Sequence, residues 1–318
     1  MRIGLRVPPC APLPELAEFA REVEAAGFDE AWFPDSQLLW RDVFAVAATA
    51  GMATSRLTVG TAVTNVVTRH PAVVASAART VAEASPGRFV LGVGVGNSSV
   101  APVGLAPSKR AELRAGIGVI RDLLAGQAVD FPGTKGKLRD PVPVPVHIAA
   151  SGPRNLRLAG EIADGVILLS GVSREPLSAA LSAVGSPVPA TVSAFCRVTD
   201  DIERDARELK PICLGIAGNG GTTFLERAGI HVRLPDRPPA VYPDLVHAES
   251  WPDAIEACEK YVSDEAVVAF AREFCLFGTV AEIRARLAEV AGSGVASVLL
   301  QHVGSYDLPR GLLAVADG

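Results

Sequence analysis

Polar residues and glycines stand directly after several short apolar segments of this 318-residue chain. Asp35 and Ser36 follow one such segment, and Thr64 and Asn65 interrupt another. The same position is held further along by Gly96, Asn97, Ala150, Ser151, Gly152 and Gly171. If the apolar segments are parallel strands, their carboxyl ends share one edge, and these residues gather there. A carboxylate, hydroxyls and open backbone N–H groups on one edge can bind a flat or anionic ligand.

The turn Ser151-Gly152-Pro153 is the best candidate for an anion site. It precedes a predicted helix, Asn155–Ala163, whose first N–H groups and dipole favour negative charge. Arg154 and Arg157 can add positive charge. The residues support equally well a plainer interpretation, in which Ser151 caps the helix and the glycine relieves a tight turn.

Asp35 and the segment Arg69-His70-Pro71 carry the other functional side chains of this region. A carboxylate after a strand can polarise a ligand or accept its N–H, and it can equally cap a helix. His70 has no paired acid or nucleophile nearby in the sequence, so it gives no catalytic signal. We therefore interpret residues 69–71 as a helix start that braces the preceding kink, with Pro71 in the first turn.

The glycines in Gly92-x-Gly94-x-Gly96 resemble part of a dinucleotide-binding fingerprint. The third glycine is one residue too early, no helix is predicted to open there, and no acidic residue follows at the proper distance. Close approach of a flat ligand to the backbone explains these glycines better.

Short apolar segments alternate with predicted helices along the chain. The segments that we interpret as strands are Ile3–Val7, Asp29–Phe33, Leu57–Val63, Arg88–Val95, Val144–Ala149, Gly165–Leu169, Pro189–Val198 and Ala296–His302. Continuous apolar strands are typical of parallel sheets covered on both faces. Eight of them favour a closed (β/α)₈ TIM barrel over a doubly wound sheet. Irregular stretches at about 97–110 and 227–267 are interpreted as insertions at the C-terminal mouth of a single domain, 1–318.

Composition excludes several classes of function. The chain is 49% hydrophobic and 20% charged, with a formal net charge of −5. It has no Lys/Arg block, which argues against nucleic-acid binding. No apolar stretch is long enough to span a bilayer, and the N-terminus lacks a signal-peptide core, so we expect a cytoplasmic protein. The five cysteines and five histidines match no metal-ligand spacing, so we expect reduced, mostly buried thiols and no metal.

Taken together, the motifs resemble the bacterial luciferase-like superfamily and, within it, the branch that uses the deazaflavin coenzyme F420. The markers run along nearly the whole chain. They are Gly27-Phe28-Asp29 with Asp35, Thr61–Pro71, Pro86-Gly87-Arg88 with the glycines that follow, Ala149–Gly165, and Phe277-Gly278-Thr279. The Thr-Arg-His-Pro ending at Pro71 resembles methylenetetrahydromethanopterin reductases more than FMN-type monooxygenases.

The resemblance implies a TIM barrel with the cofactor at its C-terminal mouth. In such proteins a kink in strand three, often with a non-prolyl cis peptide, backs the deazaflavin ring. The implied cofactor contacts here are Asp35, Ala62, Val63, Thr64, Asn65 and Gly96 around the ring, and Ala150, Ser151, Gly152 and Gly171 at the phosphate and tail. We expect Asp35→Ala to weaken cofactor binding far more than folding.

Two departures from the family pattern bear on the reaction. The sugar-phosphate dehydrogenases of this group carry a His after the strand-two acid and a Glu after the strand-four glycines. This chain has Ser36 and Asn97 there, although Trp40 matches. The acid/base pair for oxidising an alcohol is therefore missing. The resemblance implies hydride delivery to a C=C, C=N or C=O group, with a proton from solvent, substrate or a weak donor such as Ser36.

We therefore expect an F420-dependent oxidoreductase that acts on a small molecule and forms a homodimer. Asp35, Ser36, Trp40 and Asn97 are its candidate catalytic residues. An FMN-dependent two-component monooxygenase on the same fold remains an alternative. A second alternative is a barrel that binds a flavin or deazaflavin without catalysis, and the departures at Ser36 and Asn97 keep it open.

Overall fold

Eight parallel strands form a closed ring in the computed structural model, which describes residues 1–316. The strands of the chain are β1 (Arg2–Arg6), β2 (Glu30–Phe33), β3 (Thr58–Thr61), β4 (Thr64–Asn65), β5 (Phe89–Gly94), β6 (Val129–Phe131), β7 (Thr134–Gly136), β8 (Val146–Ala150), β9 (Gly165–Leu168), β10 (Ala190–Val198), β11 (Leu276–Gly278) and β12 (Ser297–Gln301). The ring runs β1-β2-β3-β5-β8-β9-β10-β12 and closes because β12 pairs in parallel with both β10 and β1. The predicted TIM barrel is thus confirmed.

Helices connect the strands and cover the outside of the ring. They are α1 (Leu13–Ala25), α2 (Val43–Ala53), α3 (Pro71–Ala84), α4 (Arg110–Leu124), α5 (Pro153–Ile162), α6 (Arg174–Val184), α7 (Ile202–Asp205), α8 (Lys210–Ile216), α9 (Thr222–Arg227), α10 (Trp251–Cys258), α11 (Asp264–Phe274) and α12 (Val280–Ala291). Each barrel helix buries one apolar face; in α1 this face is Leu16, Phe19, Ala20 and Val23. None of the helices within residues 1–316 has the length and apolar character needed to cross a membrane.

Four segments differ from the sequence-based expectation. The predicted strand Leu57–Val63 is broken, because β3 ends at Thr61 and the chain pairs again with β5 only at Thr64–Asn65. Helix α5 begins at Pro153 and not at Asn155. The hairpin β6–β7 and the short strand β11 were not predicted; β11 pairs with the end of β10. At three residues each, these strands are too short for an apolar pattern to reveal them.

A second core lies beside the barrel. It joins buried residues from α8 to α11, including Cys213, Cys258 and Phe270. This helical cluster uses residues from Ala206 to Phe277, so the second insertion starts earlier than the predicted 227–267 and is largely helical. Burial raises the pKa of Cys213 to about 12 and that of Cys258 to about 11, which keeps these thiols protonated.

The barrel interior is filled below its C-terminal mouth. Trp32, Ile167 and Leu299 form a buried apolar cluster there. At the opposite end Glu30 is fully buried, accepts hydrogen bonds from Trp32 Nε1 and Ser297 Oγ at 2.8 Å each, and pairs with Arg2 Nε at 2.9 Å. Because both layers are packed, a ligand can bind only above them, at the mouth formed by the carboxyl ends of the strands.

Candidate active site

Asp35 is the centre of a buried polar cluster at the mouth. Its Oδ2 accepts hydrogen bonds from Thr64 Oγ1 at 2.7 Å and from Arg69 Nε at 2.8 Å, and its Oδ1 accepts one from Arg69 Nη2 at 3.0 Å. Arg69 also pairs with Asp42 at 2.9 Å and lies 5.3 Å from the Phe44 ring centroid. Both oxygens of Asp35 are therefore engaged by protein groups, and the side chain fixes the kink after β3.

The helix start at residues 69–71 has the structural role predicted for it. Arg69 ties the kink to Asp35, and Pro71 is the first residue of α3. His70 is the N-cap, and its Nδ1 accepts a hydrogen bond from the N–H of Ala72 at 3.2 Å. The interpretation of residues 69–71 as a helix start that braces the kink is confirmed.

The kink itself presents an apolar surface to the mouth. A cis peptide bond joins Ala62 to Val63, at the position that the family resemblance indicates. Both side chains are partly exposed and pack on the Trp32 cluster below them. Asn65 is buried and internally satisfied: its Oδ1 accepts from the N–H groups of Val67 and Thr68, and its Nδ2 donates to Thr68 and Ser99 hydroxyls. Ala62 and Val63 therefore form the accessible platform, and Asn65 supports it.

Packing against the protein's own chain explains why glycine occupies positions 92, 94 and 96 in and just after β5. A Cβ on Gly92 would lie 2.0 Å from the carbonyl oxygen of Thr61, and one on Gly94 would lie 2.7 Å from Val63 Cγ2. A Cβ on Gly96, where φ is +83°, would lie 2.5 Å from Val100 Cγ2. The close approach that these glycines permit is to the protein's own kinked strand and loop. These internal contacts are enough to require glycine at all three positions, and a cofactor contact at Gly96 stays a prediction.

Three further residues were predicted to take part in catalysis, namely Ser36, Trp40 and Asn97. Their environments in the structure differ from one another. Ser36 is buried and its Oγ lies 2.7 Å from Ser98 Oγ. Trp40 donates its indole N–H to the carbonyl of Ser305 at 2.7 Å. Asn97 is exposed, and its carbonyl accepts the turn hydrogen bonds of the following loop. Asp35, Ser36 and Trp40 come together at the mouth, whereas the Asn97 side chain has no hydrogen-bond partner within residues 1–316.

A histidine and a carboxylate from the second insertion complete this side of the mouth. The His247 ring packs edge-on against Trp40, with centroids 5.5 Å apart and planes at 77°. Its Nδ1 lies 3.0 Å from both oxygens of Asp244, and its carbonyl accepts a hydrogen bond from Tyr306. Sequence reasoning missed this pair, and the only signal was an Asp-x-x-His spacing within an irregular segment.

The Asp244 carboxylate is held in its charged form. Burial raises its pKa, but the hydrogen bond and charge of His247 and the N–H groups of Val246 and His247 outweigh burial and lower it overall. A carboxylate bonded to Nδ1 orients the ring and stabilises an imidazolium. The Nε2 atom of His247 has no hydrogen-bond partner within residues 1–316.

On the far side of the barrel, the N-terminus of α5 is open. Gly152 is the N-cap, with φ at +73°, and no side chain caps the helix. The plainer interpretation of Ser151 as the cap is therefore wrong. Ser151, Gly152 and Arg154 are exposed, and Arg154 has no carboxylate within 4.0 Å in the described part of the chain. The anion site predicted at this turn therefore has free helix N–H groups, and it stays a prediction.

Ala150 and Gly171 occupy the neighbouring strand ends. Ala150 is the buried last residue of β8. Gly171 is also buried, with φ at +77°, and a Cβ there would lie 2.3 Å from Phe274 Cδ1 of α11. The packing of α11 against the strand end is thus enough to require glycine at this position. Its contact with the cofactor tail stays a prediction.

Known proteins share the sequence pattern of this chain along nearly its whole length. The protein-family model for luciferase-like monooxygenases matches residues 1–297. The chain belongs to this luciferase-like family. A 5,10-methylenetetrahydromethanopterin reductase of Archaeoglobus fulgidus is 30% identical over 94% of this chain and 92% of its own length. An F420-dependent glucose-6-phosphate dehydrogenase of Beutenbergia cavernae is 39% identical over 51% of this chain and 54% of its own.

Solved structures agree with this family. The coenzyme F420-dependent tetrahydromethanopterin reductase of Methanopyrus kandleri superposes with a TM-score of 0.76 at 21% identity, over 99% of this chain and 97% of that one. At this identity the likeness shows the fold, a closed (β/α)₈ barrel. The predicted resemblance to the luciferase-like superfamily and its F420-dependent members is confirmed.

Proposed function

We propose that this luciferase-like protein is an F420-dependent oxidoreductase that transfers a hydride between the deazaflavin and a C=C, C=N or C=O group of a small molecule. The observation that carries the proposal is the pairing of two features across one mouth. The partly exposed platform of Ala62 and Val63 suits a flat ring, and the open N-terminus of α5 suits a phosphate. The F420-dependent relatives support the choice of cofactor. The homodimer, the cytoplasmic location and the single-domain organisation remain predictions.

The residues at the mouth fit this cofactor on chemical grounds. The platform offers the apolar side chains of Ala62 and Val63, on which a flat ring can stack. A Cβ added to Gly152 would meet no atom within 4 Å, so space is free in front of the helix N–H groups. Arg154 adds an unpaired positive charge there. When bound, the deazaflavin supplies hydride chemistry, and the protein supplies orientation and proton transfer.

This chain's own residues then have three tasks. Asp35 and Arg69 hold the kink so that Ala62 and Val63 fix the plane of the ring. Trp40 and the residues around it close one side of the mouth against water. His247, oriented by Asp244, gives a proton to the substrate atom that gains negative charge, or takes one in the reverse direction. This pair replaces the acid/base residues that are missing at Ser36 and Asn97.

The cofactor is tested by titrating the purified protein with F420 and separately with FMN, following ligand fluorescence. We expect F420 to bind and FMN to bind far more weakly. Arg154→Gln should weaken F420 binding roughly threefold to tenfold, because one charge-assisted contact to phosphate is lost. Binding of FMN alone would support the two-component monooxygenase instead, and binding of neither would refute the proposal.

Lys135→Gln is the matched control for Arg154→Gln. It also removes one exposed positive charge, but from the hairpin β6–β7, which lies in the connection from α4 to β8 at the other end of the barrel. Its F420 affinity should equal that of the wild type. An equal loss in both variants would show a general charge effect and would argue against α5 as the phosphate position.

The proton-transfer role is tested with His247→Gln and Ser36→Ala. Removing a general acid typically costs 10²–10⁴-fold in rate, so we expect kcat of His247→Gln to fall by about 10²-fold while its F420 affinity is unchanged. Ser36→Ala should change kcat less than about threefold, because Ser36 Oγ is already bonded to Ser98. The reverse pattern would assign the proton to Ser36.

A further inference from the structure

Arg6 lies at the floor of the mouth and points into it. It is the last residue of β1, where it pairs with Gln301 of β12 and with Trp32 of β2. Residues that pair across parallel strands face the same side, and Trp32 belongs to the interior cluster. Arg6 is partly exposed, and its Nε donates a hydrogen bond to the carbonyl of Ala62 at 3.3 Å. The guanidinium therefore lies beside the platform proposed to carry the deazaflavin ring.

The charge of Arg6 has no partner within residues 1–316. No carboxylate lies within 4.0 Å of it, and the bond to Ala62 is its one hydrogen bond in that part of the chain. By contrast, Arg2 and Arg69 each pair with a buried carboxylate. Burial lowers the pKa of Arg6 to about 10, so the side chain remains charged at neutral pH. A partly buried cation without a partner is only partly hydrated, and binding of an anion stabilises it.

The groups around Arg6 are neutral. The Gln301 side chain faces the same side, and its Oε1 lies 3.4 Å from Ser193 Oγ, which leaves the amide N–H₂ group free to donate. His302 follows Gln301, and burial together with the charge of Arg6 lowers its pKa to about 4, so it is uncharged. A ligand at this position thus meets one positive charge and amide donors, without a competing acid.

This position is separate from the proposed phosphate site. Three strands separate β1 from β8 in either direction around the ring. They are β2, β3 and β5 in one direction and β12, β10 and β9 in the other. Strand β8, which leads into the open N-terminus of α5, is therefore diametrically opposite Arg6. With the cofactor phosphate at α5 and the ring on Ala62 and Val63, Arg6 faces the space left for the substrate.

We propose that Arg6 and Gln301 bind a carboxylate of the substrate. The inference rests on the proposed function, since it names the substrate class of the same site. With Nε engaged by Ala62, the two Nη atoms of Arg6 remain for the two oxygens of a planar anion, and Gln301 can donate a third hydrogen bond. The proposed substrate is thus an unsaturated or carbonyl-bearing carboxylic acid.

The test compares each carboxylate with its uncharged amide. Crotonate and crotonamide, and benzoate and benzamide, are titrated calorimetrically into the protein with and without F420. A charge-assisted contact predicts that wild type binds each acid at least about tenfold more tightly than its amide. Arg6→Gln should bring this ratio to about one, and Arg6→Lys should retain part of it. Lys135→Gln, which removes an exposed charge from the hairpin β6–β7, should leave the ratio unchanged.

The outcomes separate this inference from the proposed function. Arg6→Gln should fold and melt no lower than wild type, because it removes a charge that has no partner. Equal binding of acid and amide, no detectable binding of either acid, or a ratio that survives in Arg6→Gln would each overturn the carboxylate subsite. Tighter binding of inorganic phosphate than of either acid would also overturn it. If F420 fails to bind while the acid preference persists, the proposed function falls and the subsite stands.

Discussion

Replacing Asp35 by alanine lowers the free energy of unfolding by about 3–5 kcal/mol, the usual cost of removing one partner from a buried ion pair. The reason is geometric: the substitution removes both acceptors of the Arg69 guanidinium and the acceptor of the Thr64 hydroxyl at once. Arg69 is only 19% exposed, so water cannot replace the lost carboxylate freely. Urea denaturation of the two proteins, followed by circular dichroism, measures the difference.

Asp42→Asn is the control for this substitution. Asp42 is the second carboxylate on Arg69, but it is 49% exposed, and asparagine still caps α2. We expect a loss of less than about 1 kcal/mol. If Asp35→Ala were as mild as Asp42→Asn while F420 affinity collapsed, Asp35 would be a direct cofactor ligand and the sequence-based expectation would hold. The geometry instead predicts that binding is lost because the kink is lost.

The double variant Asp35→Ala/Arg69→Ala tests the cause of this instability. When Arg69 is removed together with Asp35, no buried guanidinium is left without its carboxylate. The double variant should therefore be more stable than the sum of the two single losses indicates, by roughly 1–3 kcal/mol of coupling. Additive losses would show that the pair contributes little and that the rest of the Asp35 environment matters more.

The barrel could be predicted because its signal is repeated. Each strand is a short apolar run followed by a turn and a helix, so an error at one strand, such as the break after Thr61, leaves the count of eight intact. The start of α3 could also be predicted, since proline after a capping residue has few other uses. The carboxyl ends of the strands lie at the mouth by topology alone, which is why the sequence could place Asp35, Thr64 and Ser151 there.

Contacts across the mouth could not be predicted in this way. His247 reaches Trp40 from an insertion more than two hundred residues later in the sequence, and no periodic pattern connects the two. In the sequence Arg6 is one residue of an apolar strand. Only the three-dimensional structure shows that no carboxylate lies near its guanidinium within residues 1–316. For Asp35 the type of residue was informative, but whether its oxygens face a ligand or Arg69 depends on the tertiary fold.

The glycines of β5 show the same limit. The notable feature in the sequence was their spacing, which suggested a ligand passing close to the backbone. The structure shows that the kinked strand after β3 takes up that space. A pattern of glycines therefore indicates a close approach to the backbone, but it does not tell whether a ligand or the protein's own chain approaches. These two possibilities predict different effects of a glycine substitution.

Gly92→Ala should destabilise the fold strongly if the close approach is to the protein's own backbone. Its Cβ would lie 2.0 Å from the Thr61 carbonyl oxygen, and backbone in a paired strand cannot move aside. The substitution also strains the two hydrogen bonds between Thr61 Oγ1 and the Gly92 backbone, at 2.7 and 2.8 Å. Overpacking usually costs 1–3 kcal/mol, and we expect about 3 kcal/mol or more here because the obstacle is main chain. Thermal and urea unfolding measure it.

Gly94→Ala is the matched comparison, because the same added methyl group meets a side chain. The obstacle is Val63 Cγ2 at 2.7 Å, so the clash is relieved by moving or shortening Val63. Gly94→Ala should fold with a loss of about 1–2 kcal/mol but bind F420 more weakly, since Val63 is part of the platform. Adding Val63→Ala should restore most of the stability to Gly94→Ala and none to Gly92→Ala. Equal, mild effects at both glycines would mean that the kinked strand yields, and that its shape is set less by β5 than by the Asp35 cluster.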